Sequence, residues 1–92
     1  TKVNVDWTVK PQIHKRSKGF TKKAGSIIYI NLKIFPHKKV RIGVIKGGKV
    51  KKYYEVTTGL EKEIPVKDTD TYSVFVQNMT NSTINAKGSY IK

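Results

Sequence analysis

Short runs of alternating apolar and polar residues, separated by turn residues, recur along the whole 92-residue chain. In the first run, Val3, Val5, Trp7 and Val9 alternate with polar neighbours, which is the period-2 pattern of a strand with one buried face. No window of ten or more residues shows the 3.6-residue period of an amphipathic helix. The chain is therefore predicted to be all-β.

The most apolar stretch, residues 27–35, is rich in β-branched and aromatic side chains and predicts a central strand. Its even positions are expected to face the core: Ile28, Ile30, Leu32 and Ile34. Further on, Gly47 and Gly48 separate two alternating runs, and glycines can adopt the positive φ angles of a tight hairpin. We therefore expect a hairpin in which the alternating run of residues 39–44 forms the first strand, residues 46–49 form the connection, and residues from about 50 to 56 form the return strand.

The remaining segments give weaker signals. Residues 12–23 are basic and irregular, and predict a mobile loop with a short strand around Phe20. Pro65 restricts residues 63–66 to an edge strand or a bulge. Two further strands are predicted over residues 72–77 and 83–91.

Seven or eight short strands at regular spacing favour one antiparallel β-sandwich, of jelly-roll or Greek-key type, over residues 1–92. A small Greek-key barrel is the alternative. Ninety-two residues leave no room for a second core. The sequence thus predicts a single domain.

The order of these signals resembles that of small secreted bacterial β-sandwich modules. The resemblance lies in residues 19–20, 24–30, 70–78 and 86–90, where a glycine turn precedes the hydrophobic strand and a Tyr-x-Val-x-Val strand precedes a Gly-Ser-Tyr terminal strand. It implies an exported β-sandwich that is an adhesive or carbohydrate-binding appendage or a stand-alone secreted protein. The chain lacks the clustered acidic residues of calcium-binding versions.

Charge is the most unusual feature of the composition. Nineteen Lys and Arg residues face six Asp and Glu, for a formal net charge of +13. Such a field attracts polyanions and opposes self-association, which predicts a monomer with an anionic partner. Seventeen of the cations are Lys, a hydrated point charge that favours diffuse contact over specific readout. Lysines on exposed strands also prevent the edges of sheets on different molecules from pairing. This role accounts for several lysines but not for the whole surplus of positive charge.

Twelve basic residues in three groups are predicted to form the polyanion-binding surface. They are Lys15, Arg16, Lys18, Lys22 and Lys23; Lys38, Lys39 and Arg41; and Lys46, Lys49, Lys51 and Lys52. Tyr29, Tyr53 and Tyr54 are candidates for stacking on bases or sugar rings.

Residue patterns that carry catalysis or bind metals are missing from the sequence. The chain has no Cys, so disulfides and thiolate chemistry are excluded. His14 and His37 have no neighbouring ligand at metal-site spacing, and no Gly-x-Ser-x-Gly motif occurs. We expect no enzymatic activity, no metal and no cofactor.

The sequence begins at Thr1 and contains no apolar run of the ~18 residues that a transmembrane helix needs. A start without Met, together with the absence of Cys, favours a processed, secreted protein of a Gram-positive bacterium. The predicted function is binding to anionic microbial cell surfaces, as an antimicrobial or bacteriocin-like protein. The alternatives are a cell-wall or carbohydrate-binding module without killing activity and a nucleic-acid-binding β-barrel.

Overall fold

The computed structural model describes residues 1–92 as nine strands without a helix. The strands are β1 (Lys2–Val9), β2 (His14–Arg16), β3 (Phe20–Lys22), β4 (Ile27–Phe35), β5 (Val40–Lys46), β6 (Lys49–Val56), β7 (Gly59–Pro65), β8 (Asp70–Asn78) and β9 (Ile84–Ile91). The protein therefore contains no candidate membrane-spanning helix.

Two antiparallel sheets pack face to face, which confirms the predicted all-β sandwich. Sheet A has the order β1-β9-β4-β7. In sheet B, β8, β5 and β6 lie side by side, and β2 and β3 both pair with the other edge of β8. All connections except β2–β3 and β5–β6 pass from one sheet to the other. Apart from β5 and β6, the neighbouring strands of each sheet are therefore distant in sequence.

The core lies between the sheets and contains eighteen buried residues. The four even positions of β4 predicted to face inward are each at most 1% exposed. Tyr72 and Tyr90 are buried too, and Trp7 is half-buried against the core. Strand alternation therefore identified the inner faces of β1 and β4 correctly.

The predicted hairpin is present as β5 and β6. Gly47 and Gly48 have φ angles of 57° and 86°, which side-chain-bearing residues rarely adopt. The predicted edge segment containing Pro65 is β7, the outermost strand of sheet A, and it begins earlier than expected, at Gly59. An edge position suits Pro65 because it has no N–H to donate to a neighbouring strand.

The prediction of a mobile loop over residues 12–23 is wrong, although the short strand around Phe20 is confirmed. Residues 14–16 and 20–22 form one interrupted edge strand along β8. Ser17 continues the pairing, since its N–H donates to the Val74 carbonyl at 2.8 Å and its Oγ accepts from the Val74 N–H at 3.0 Å. Lysine-rich sequence has low strand propensity, so only the free edge of β8 reveals this strand.

The turn between β8 and β9 is organised by a buried polar residue. The amide of Asn78 is fully buried and donates to the carbonyls of Val9 and Ser82 at 3.1 and 2.6 Å. Its Oδ1 accepts from the Thr80 N–H at 2.9 Å. The turn is thereby fixed to β1 of the other sheet.

Candidate anion-binding surface

The first predicted basic group lies along the β2–β3 edge of sheet B. Lys15 and Arg16 are on β2, opposite Val76 and Phe75 of β8. Lys18 lies in the connection between β2 and β3, and Lys23 follows β3. Lys22 lies opposite Asp70 in the ladder between β3 and β8, without forming an ion pair with it. Lys15, Arg16, Lys18 and Lys23 are exposed and Lys22 is half-exposed, so this edge presents a line of cations to solvent.

The third predicted group lies on the opposite edge, formed by β6. Lys51 and Lys52 line a pocket of about 170 Å³ that opens between β6 and β7. The floor of the pocket is apolar and includes Ile28, Val44, Ile64, Val66 and Tyr72. Lys67, which the sequence did not single out, lines the same pocket. Lys49 begins β6 at the hairpin.

The second group lies at one end of sheet B. Lys38 and Lys39 are exposed in the β4–β5 connection, and Arg41 follows on β5. Arg41 forms an ion pair with Glu55, with Nη2 3.0 Å from Oε1. Its guanidinium also lies 4.7 Å from the centre of the Tyr53 ring, within cation–π range. Arg41 is therefore the most constrained of the candidate cations.

A second ion pair joins Lys46 Nζ to Asp68 Oδ2 at 2.6 Å. This hydrogen bond raises the pKa of Lys46 and lowers the pKa of Asp68. These two pairs are the only ion pairs in the protein, so seventeen of its nineteen basic side chains have no carboxylate partner. Most of the positive charge is therefore not neutralised within the molecule.

The centre of the outer face of sheet B is apolar, which the sequence analysis missed. Phe75 and Ile45 are only 3% and 5% exposed, yet neither belongs to the core between the sheets. Phe75 and Tyr53 lie on either side of Gly43, where a Cβ would collide with the Lys52 backbone. A glycine within a strand marks such a close approach. Gly43 was thus the one feature of the sequence that could have indicated this closely packed apolar centre.

The three candidate tyrosines lie on three different surfaces. Tyr53 is on the outer face of sheet B beneath Arg41. Tyr54 lies at the seam between the sheets, with Lys52 and Lys62 nitrogens 5.6 and 5.3 Å from its ring centre. Tyr29 is on the outer face of sheet A, where its hydroxyl donates to Glu61 and this hydrogen bond raises the pKa of Tyr29. The structure does not bring these rings together.

The outer face of sheet A is electrically balanced. Strand register places three lysines and three carboxylates on it: Lys2, Lys33, Lys87, Asp6, Glu61 and Glu63. The whole formal surplus of +13 therefore lies on the remainder of the molecule, mainly around sheet B.

No group of three or more His, Asp or Glu side chains is arranged to hold a metal ion. Comparison with protein-family models, with curated proteins and with solved structures found no match to this chain. Only the residues and geometry of the chain itself therefore indicate its function.

Proposed function

We propose that the protein is a secreted cationic binding protein that adheres to anionic groups of a microbial cell envelope and acts there as an antimicrobial or bacteriocin-like protein. The observation that carries this proposal is the distribution of charge. Seventeen basic side chains have no carboxylate partner, and the outer face of sheet A contributes nothing to the net charge. Unpartnered ammonium groups are free to contact external phosphates or carboxylates.

The arrangement of the lysines suits a polymer or a membrane surface better than a single small anion. The lysines follow both edges of sheet B, and four strands separate these edges by about 15 Å. Each Lys close to an anionic membrane contributes about 1 kcal/mol. The contacts are diffuse and additive, so we expect affinity to fall steeply with salt.

The separation of the tyrosines weighs against nucleic-acid binding. Single-stranded nucleic acids are held by aromatic rings that stack successive bases along a basic groove. Only Tyr53 lies on the outer face of sheet B, and Arg41 occupies one side of its ring. This geometry favours the envelope over the nucleic-acid alternative.

Binding to lipid vesicles tests the proposal. Vesicles of phosphatidylglycerol and phosphatidylcholine should bind the protein at physiological salt, and vesicles of phosphatidylcholine alone should not. Lys15→Gln combined with Lys51→Gln removes one cation from each edge of sheet B. The affinity should fall about thirtyfold, since two lysines contribute about 2 kcal/mol.

A matched control removes the same charge elsewhere. Lys10 and Lys92 are exposed at strand ends of sheet A. Salt screens charges from one another beyond about 8 Å, so these two lysines should interact only weakly with a membrane bound at sheet B. Lys10→Gln combined with Lys92→Gln should therefore weaken binding less than about threefold. Equal losses of affinity in both double variants would contradict binding through the cations of sheet B. Failure to bind anionic vesicles would contradict the proposed adhesion. Failure to inhibit any microbe in a broad panel would contradict the proposed antimicrobial activity.

A further inference from the structure

A hydroxyl that is open to solvent and has no hydrogen-bond partner in the protein lies at the centre of the outer face of sheet A. Ser89 is only 8% exposed, and its side chain forms no hydrogen bond. No completely buried side-chain polar atom in the protein lacks a partner, so the Ser89 hydroxyl keeps a path to solvent. That path is a hollow of about 380 Å³, which Ser89 lines. The floor of this hollow therefore offers an unused donor and acceptor.

Two amides extend this polar floor in a line across three strands. Asn4 of β1 and Asn31 of β4 lie directly opposite Ser89 of β9, on either side. Neither amide side chain is hydrogen-bonded within the protein, and both line the hollow. Neighbouring strands lie about 4.8 Å apart, so the three groups form a row about 10 Å long. A row of this kind suits a ligand with several hydroxyl groups.

Two lysines face each other in the next row of the same surface. Lys33 of β4 and Lys87 of β9 are directly opposite, and like charges in this position destabilise a sheet. Asp6 lies opposite Lys87 on the other side, but neither lysine forms an ion pair. The residues that line the hollow include no carboxylate. An anionic group of a ligand would relieve this repulsion.

An exposed aromatic ring completes the surface. Phe35 is 45% exposed and lines both this hollow and an adjoining one of about 460 Å³. The His37 ring lies 6.3 Å from the Phe35 ring. An exposed flat ring beside polar groups suits the apolar face of a sugar.

Two glycines in this part of sheet A have backbone conformations that other residues rarely adopt: Gly88 lines the hollow, and Gly59 lines the adjoining one. Gly59 and Gly88 lie on the two strands next to β4, with φ angles of 151° and 144°. A Cβ on Gly88 would collide with the Asn31 carbonyl, and one on Gly59 with the Leu32 carbonyl. Such backbone outliers cluster at binding sites.

We propose that this hollow binds an acidic saccharide, a sugar that carries a carboxylate. Lys33 and Lys87 take the carboxylate, Asn4, Asn31 and Ser89 bind ring hydroxyls, and Phe35 packs on the ring. The site lies on the opposite side of the sandwich from the anion-binding surface and does not depend on the envelope proposal.

Titration with a trimer of galacturonic acid, followed by NMR of the ¹⁵N-labelled protein, tests the site at physiological salt. Saturating shifts confined to the outer face of sheet A are expected, and maltotriose, a neutral trimer, should bind at least about tenfold more weakly. Lys33→Gln should weaken binding of the acidic trimer about tenfold or more, because a hydrogen bond to a charged group is worth this much. Lys10→Gln, which removes the same charge outside the hollow, should leave it unchanged.

Three outcomes would overturn the assignment. They are equal binding of the acidic and the neutral trimer, equal binding of inorganic phosphate, and shifts spread over all lysines. Asn31→Ala and Lys33→Gln test the site without emptying a core position, since both side chains reach solvent, and loss of neither binding nor selectivity in both variants would also contradict it. Vesicle binding is measured separately, so loss of one activity is distinguishable from loss of the other.

Discussion

The outer faces of the two sheets belong to one sandwich but differ in packing and in charge. Each carries a phenylalanine: Phe75 on sheet B is 3% exposed, whereas Phe35 on sheet A is 45% exposed. Sheet B has a closed apolar centre bordered by unpartnered cations, and sheet A has open hollows with balanced charge. The net charge of +13 therefore describes the sheet B side of this molecule and not the outer face of sheet A.

The largest expected effect concerns the backbone beneath the sheet A hollow. Gly88→Ala should cost about 3–5 kcal/mol or prevent folding, because strain at this φ adds to a collision with the Asn31 carbonyl. Gly25→Ala is the control: its φ is 89°, and a Cβ there meets nothing within 4 Å. It should cost only about 1–2 kcal/mol. Urea denaturation measures both, and similar costs would contradict a close approach at Gly88.

The two phenylalanines provide the second test. Phe75→Ala should cost about 3 kcal/mol, because it empties a buried position on the outer face of sheet B. Phe35→Ala should change the free energy of unfolding by less than about 0.5 kcal/mol, because the ring is largely exposed. A large loss of stability in Phe35→Ala would indicate that this ring stabilises the fold, and would contradict its assignment as a ligand-binding ring.

The smallest effect concerns the hydrogen bond from Tyr29 to Glu61 on sheet A. It raises the pKa of Tyr29, so the folded protein holds this proton more tightly than the unfolded chain does. The resulting stabilisation is complete below the ordinary pKa of about 10 and is lost as the pH rises through the raised pKa. Glu61→Gln should move tyrosinate formation, followed by ultraviolet absorbance, to lower pH. Comparison with Tyr29→Phe identifies the absorbance change that belongs to Tyr29. If Glu61→Gln left the pH of this change where it is, the hydrogen bond from Tyr29 to Glu61 would be contradicted.

Much of the fold could be predicted because strand alternation and turn chemistry are local. The inward residues of β4, the hairpin at Gly47 and Gly48 and the edge position of Pro65 all follow from neighbouring residues. The β2 strand could not be predicted, since it is held by the free edge of β8 and not by its own propensity. The role of Asn78 could not be predicted either, because the structure buries this polar residue and uses its amide to join the two sheets.

The candidate sites were predicted less completely. The basic groups were found because charge is a property of composition, and the structure places them around sheet B. Phe75, Ile45 and the row formed by Asn4, Ser89 and Asn31 were missed. The environment of each of these residues depends on which strands are neighbours in the sheet.

Periodicity, turn residues and charge require no knowledge of distant contacts, so they were enough to predict an all-β chain, the inward residues of β1 and β4 and a strong positive charge. The places where that charge is unbalanced, and the polar groups that have no partner, depend on the tertiary structure. Strand order decides this, since β9 lies between β1 and β4 and so brings Lys87 beside Lys33 and Ser89 between two amides. These pairings join residues more than fifty positions apart, and no local pattern encodes them.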